Sequence, residues 1–349
     1  MGGLAASFRV GARVVALLGL CAVGCTPRPP PRMRRDEPPP PVLVVNVDRV
    51  ALRTSAWTEL HALLATAART HTELPDPDLD AAARAYEQAL SSDTRDEALG
   101  DATRSVAACE SEACARAALG GTPFGPPFAL AFPGFMRRSW TARAASARTG
   151  IEAARSAIGP EIDGLARRIA KDLAFEWPEV PPIVDVVTDA PPPGAAAPMR
   201  ALLGARGSCF TTPKPDPTEK LLGQLVGAKP KEDGPEPERV QHARIIDCVL
   251  VYAALHAAQA SALRLALTAE LGPREGDRAF TLATIHAVAV VMTSWDSRHI
   301  SVLRQSAGEV APSAMKWLVG AWPDRLQGEE PKAFAKRFAA ELGSGSGPR

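Results

Sequence analysis

Two stretches without a single charge constrain this chain more than anything else in it. The first is Cys248-Val-Leu-Val-Tyr-Ala-Ala-Leu255, and the second is the sixteen-residue run Phe280 to Trp295. They are separated by Gly272-Pro-Arg-Glu-Gly276, which reads as a turn between two helices. A helix apolar on all sides has to be enclosed, in a protein core or in lipid. Sixteen residues fall short of the roughly 20 that span a bilayer, so the pair is predicted to form the centre of a protein core.

The rest of the chain suits such a core. Of 349 residues 46% are hydrophobic but only 5% aromatic. Alanine supplies much of the apolar content, which favours helix over sheet. Strand character is confined to the β-branched runs Val42–Val50 and Pro181–Asp189, with a short return at Met199–Gly204. The expected fold is therefore α+β and predominantly α-helical, a multi-helix core with a small sheet of two to three strands. Helices are expected from Thr54 or Ser55 to about Arg69, over Pro77–Ser91 and Thr94–Cys109, and over Met136–Ala174 with a break at Gly159–Pro160. Phe124–Phe135, crowded with prolines and glycines, reads as an ordered loop, and 211–237 as a surface excursion. Later helices are expected from Asp296 or Ser297 to Ala307, over Pro312–Trp322 and over Pro331–Leu342. By composition the chain divides into 1–24, a 25–41 tether, a mainly helical region 42–176, a helical domain 177–342 with short strands, and a 343–349 tail.

The beginning is an address. Arg9 and Arg13 precede the apolar run Val14–Val23, and Ala22-Val-Gly-Cys25 follows. This resembles the lipobox of bacterial lipoprotein precursors, with Ala22 where that family usually has Leu. The resemblance implies cleavage before Cys25 and acylation of its thiol, hence attachment to a membrane through an N-terminal lipid. Thr26, in place of an aspartate after the acylated cysteine, implies the outer membrane, periplasmic side. Residues 26–41 hold eight prolines among Arg28, Arg32, Arg34 and Arg35, an extended spacer.

Export places the remaining cysteines, Cys109, Cys114, Cys209 and Cys248, in an oxidising compartment, where an even number suggests two bridges. Four cysteines allow three connectivities. The spacing of Cys109 and Cys114 suits a staple across a helix end, which leaves Cys209 with Cys248; four buried free thiols are the alternative.

Chemistry is sparse. A net charge of +1 with no basic groove gives no reason to expect nucleic acid. There is no G-x-S-x-G, no CxxC and no phosphate-loop spacing. His242 and His256 share a helix face but stand fourteen residues apart, about 21 Å. His286 on the neighbouring helix meets neither, so no metal is expected and each histidine reads as a core residue. Asp185 and Asp189 could form a carboxylate pair but more often cap turns.

Over 177–342 the order of Ile183–Asp189, the central helix, Phe280–Ala287 and Trp317–Gly328 resembles bacterial zincin-type metallopeptidase-like domains. The resemblance implies a helix carrying His-Glu-x-x-His, and here that register holds Val251, Tyr252 and Leu255 instead. Zinc needs imidazoles one turn apart and a carboxylate beside the bound water, so the resemblance implies a pseudo-enzyme without catalytic residues or cofactor. The expectation is an exported, lipid-anchored binding or scaffold protein of the cell envelope. Its partner would be an unknown envelope protein or ligand. The alternative is a hydrolase with a non-standard site drawn from His286, His256, Asp185 or Glu270.

Overall fold

The described residues open on a hairpin at the edge of the sheet. A computed structural model of the protein describes residues 39–90, 95–159, 161–189, 202–204, 209 and 238–344. The leader, Cys25 and all but the last residues of the tether lie outside them, as do the excursion 211–237 and the end of the tail. The run expected as one strand folds back on itself: β1 (Val42–Val47) pairs antiparallel with β2 (Val50–Ser55), in a register from Val42↔Ser55 to Val47↔Val50. The intervening Asp48 takes a φ of 51°, a conformation that Asp tolerates better than β-branched residues. The six residues of β2 are all buried, as befits a strand with a neighbour on each side. On its other side β2 runs parallel to β3 (Ile183–Val187), which runs parallel to β4 (Leu202–Gly204). Among the described residues the sheet has four strands in the order β1-β2-β3-β4, against the two to three expected from the sequence, because the first run supplies two.

Helix α1 (Ala56–Thr70) starts without a loop at the end of β2. Ser55 caps it by accepting a hydrogen bond from the Thr58 amide at 3.4 Å. Around α1 gather α2 (Pro77–Leu90), α3 (Arg95–Ala107), α4 (Glu112–Leu119) and α5 (Gly125–Arg138). The segment expected as a Phe-rich loop is α5. Pro126 and Pro127 fall in its first turn, where a missing N–H costs nothing, and Phe128, Phe132 and Phe135 recur at helical spacing. They are at most 3% exposed and build one apolar core with Trp57, Tyr86 and Trp140.

Helix α6 (Trp140–Ala157) passes from that core to a second. Ala144 belongs to the first, and Ala147, Ile151 and Ala154 to the larger one. The break at Gly159 leads to α7 (Ile162–Asp172). The larger core is filled mainly by α8 (Glu238–Ala257), α9 (Ala262–Leu271) and α10 (Pro273–Trp295), closed by α11 (Val302–Val310), α12 (Pro312–Leu326) and α13 (Pro331–Ser344). The fold is thus α+β and predominantly helical, with thirteen α-helices among the described residues.

The uncharged runs lie where their composition demands. Val249, Leu250, Val251, Ala253, Ala254 and Leu255 are at most 2% exposed, and so are Phe280, Ala283, Val288, Val291 and Met292. The stretch Glu238–Ala260 is long and apolar enough to cross a bilayer, yet 72% of its most apolar window is buried inside the protein. The first central helix is shorter than expected, since it tightens over Ala258–Ala260 and restarts as α9. Ser261 makes the break: its hydroxyl donates to the Leu173 carbonyl at 2.5 Å and accepts from the Arg264 amide at 3.4 Å.

Both cysteine pairs close as the spacing suggested, Cys109 with Cys114 and Cys209 with Cys248. The second ties the segment after β4 to the middle of α8.

Candidate functional site

The histidines do not converge. His242 sits near Glu238, with Nε2 3.5 Å from the carboxylate. His256, at the end of α8, places Nδ1 3.0 Å from the Ile183 carbonyl and so fastens that helix to β3. His286 is 2% exposed and meets the edge of Trp322, ring centroids 5.2 Å apart. Among the described residues no three His, Cys, Asp or Glu side chains are grouped to hold a metal. At the helical positions where a zincin would carry ligands, Val251 is 1% and Leu255 2% exposed, and Tyr252 packs half-buried against the same core. Glu270 is exposed near the end of α9.

Asp185 and Asp189 do not face each other as a carboxylate pair; each has an arginine. Asp185 on β3 lies beside Arg53 on β2, and the guanidinium grips it with two bonds, Nε–Oδ1 at 2.6 Å and Nη2–Oδ2 at 2.8 Å. Arg53 also donates to the carbonyls of Ala107 (2.6 Å) and Cys109 (3.2 Å), joining the sheet to the end of α3. Both side chains are buried. Burial opposes the charge of Arg53, but the hydrogen bonds and negative charge of Asp185 outweigh it, and the pKa of the guanidinium is raised.

At the carboxyl ends of β2 and β3, where open α/β sheets place their ligands, lies a second charged group. Glu59, in the first turn of α1, is fully buried. Its Oε1 accepts from the Thr188 amide at 2.7 Å and lies 2.5 Å from the Thr188 hydroxyl; Arg143 on α6 reaches Oε2 at 3.3 Å. The same guanidinium holds Asp189 at 2.6 Å. Burial pushes the Glu59 carboxyl up despite the opposing pull of Arg143 and Thr188. Both Glu59 oxygens are engaged, so the group works as a brace tying α1 and α6 to the end of β3.

A third polar group, His61, Tyr86 and Thr103, lies inside the N-terminal core. The Thr103 hydroxyl donates to the Leu99 carbonyl at 2.8 Å, so it accepts from Nε2–H of His61 at 2.9 Å. That leaves Nδ1 to accept from the Tyr86 hydroxyl at 3.2 Å. The bonds fix a neutral tautomer, and burial lowers the pKa of His61 to about 4. His286 is lowered to about 4 as well, by burial and by the charge of Arg304. Elsewhere Asp247, fully buried on α8, faces the Nε2 of His299 at 3.5 Å.

A pH dependence follows. A histidine whose folded pKa lies below its unfolded value of about 6.5 contributes its full stability above that value. The contribution is lost as pH falls from 6.5 towards 4, because only the unfolded chain takes up the proton. The loss is expected to be roughly 3 kcal/mol for each of His61 and His286. Denaturant unfolding followed across this window is the measurement. His286→Phe, which keeps a ring against Trp322, is expected to flatten the profile, and an unchanged profile would refute the assignment.

Two concave surfaces lie among the described residues. One, of about 560 Å³, lies between α12 and α13 beside Trp317, Lys316, Asp324 and Arg337. Two of its charges are already engaged, since Arg337 bonds Glu329 at 2.8 Å and Asp324 at 3.2 Å and lies 5.7 Å over the Trp317 ring. The other, of about 510 Å³, is lined by Glu161, Arg239, His242, Ile246 and Trp295.

Arg53, Glu59, His61, Arg143 and Thr188 were not singled out from the sequence. The usable signal was a charge inside an apolar element: Arg53 within Val50-Ala-Leu-Arg-Thr-Ser55, and Glu59 between Trp57 and Leu60. We found no match to this chain among protein-family models, curated proteins or solved structures.

Proposed function

We propose that the protein is an exported lipoprotein, attached to a membrane of the cell envelope through an acylated Cys25, which acts there as a non-catalytic binding or scaffold protein. The observation that carries this reading is the leader: Arg9 and Arg13, the apolar run Val14–Val23, and Ala22-Val-Gly before Cys25. The Pro- and Arg-rich spacer that follows suits a body held off a membrane surface. The pairing of Cys109 with Cys114 and of Cys209 with Cys248 fits an oxidising compartment. In this reading the outer membrane, periplasmic side, is the destination, as Thr26 implies.

The non-catalytic part rests on how the reactive groups are employed. Asp185 and Asp189 are neutralised by arginines, Glu59 is filled by donors, and His256 fastens a helix to a strand. The zincin-like segment 177–342 is read as a pseudo-enzyme scaffold, with valine and leucine sealed in where ligands would stand.

Acylation is tested on full-length protein recovered from membranes, by labelling with palmitate and by the mass of the N-terminal peptide. Cys25 is expected to begin the mature chain and to carry lipid. Cys25→Ala is expected to lose the label and to enter the soluble fraction; a label that survives this change would sink the anchor. Zinc at one ion per chain, lost on His286→Ala, would favour the hydrolase instead.

A further inference from the structure

We propose that β1 is a self-association edge, pairing antiparallel with β1 of a second copy about a two-fold axis at Val44 and joining two four-stranded sheets into one of eight strands.

The two ends of the sheet are built differently. β4 has three residues, too short to template another strand. β1 has six, Val-Leu-Val-Val-Asn-Val, with no charge, proline or glycine, and its register with β2 runs without a bulge. Shortness, charge, proline and bulging are among the devices by which edge strands are kept from pairing, and β1 has none of these four. Its backbone N–H and C=O groups point alternately towards β2 and away from it, so every second residue offers a pair that no other described strand takes up. Val44 is 53% exposed, and Val42, Leu43, Val45 and Val47 are only half-buried.

A second copy fits this edge better than a foreign strand because the sequence matches itself. A two-fold axis perpendicular to the sheet brings side chains of the same face together. Centred on Val44, it places Val44 against Val44, Val42 against Asn46 and Leu43 against Val45. No charge meets a like charge along the ladder, which would be destabilising in directly opposed pairs. The turn charges Asp48 and Arg49 fall opposite Pro40 and Pro39 of the other copy rather than opposite each other. Those prolines lack an N–H and end the ladder there. They are also held in place, since the Trp140 indole lies 3.1 Å from the Pro39 carbonyl and 3.3 Å from that of Pro40. The lipid anchor is not required for the pairing, so the two proposals stand or fall separately.

The test uses the full-length protein in detergent. Val44→Cys is expected to form an intermolecular disulfide of doubled mass under mild oxidation. Leu130→Cys, at a residue 73% exposed on α5, is expected to remain monomeric. Val44→Lys sets two ammonium groups against each other at the axis. It is expected to halve the mass seen by light scattering with the circular dichroism unchanged. A wild-type chain that is monomeric throughout, Val44→Cys linked no more than Leu130→Cys, or Val44→Cys linked to a protein of another mass would each overturn the proposal. Should Val44→Lys fail to fold, the cysteine comparison decides alone.

Discussion

Asp185→Asn is expected to lower the free energy of unfolding by about 3–5 kcal/mol, the range for removing one partner of a buried ion pair. The size comes from what stays behind. Arg53 is 5% exposed and cannot shed its proton, so without the carboxylate it remains a charge in a desolvated site. The carbonyls of Ala107 and Cys109 still accept from it but carry no charge to offset its own. The double replacement Arg53→Met with Asp185→Leu removes both charges and keeps the volume. It is expected to recover most of the loss, since a buried pair contributes little against a well-packed apolar equivalent. Denaturant titration of the three variants is the measurement, with equal slopes required so that the midpoints report stability alone. A loss below about 1 kcal/mol for the single variant would mean that water reaches Arg53.

Removing the Cys209–Cys248 bridge by paired alanine substitution is expected to cost about 4 kcal/mol, and removing Cys109–Cys114 about 2 kcal/mol. The difference is entropic in origin. The first bridge closes a sequence separation of 39 residues and the second only 5, and the freedom denied to the unfolded chain grows with the logarithm of the loop. Thermal and denaturant unfolding without reductant would show the ordering. A larger loss from the Cys109–Cys114 pair would contradict it and would point to the contact of Arg53 with the Cys109 carbonyl as the stronger tie.

The parts of this fold that are legible in the sequence are those in which one local pattern decides the outcome. An uncharged run must be enclosed, and Phe280–Trp295 and Cys248–Leu255 are. The pairing of Cys109 with Cys114 follows from their spacing along the chain. Local patterns mislead where two of them compete in one segment. Phe124–Phe135 holds turn-forming residues and a helical stripe of phenylalanines; Pro126 and Pro127 stand in the first turn, where a helix tolerates them, and burial of the rings settles it for helix even with Pro133 inside. In Val42–Val50 valines stand on both sides of the turn, and Asp48 at a positive φ makes the reversal. The charged groups of the interior were the least legible. Arg53 finds its partner 132 residues away and Glu59 finds Thr188 at a separation of 129, distances over which no periodicity carries information.

Helix α6 is a girder common to two rooms. Its first turns roof the phenylalanine-rich chamber and its later turns wall the larger one, with Ala144 and Ala147 on either side of the partition. A chain cut between the helical N-terminal region and the rest would strand this girder in one fragment and unroof the other. The two cores are therefore expected to melt in one step, since neither keeps its wall when the other is lost.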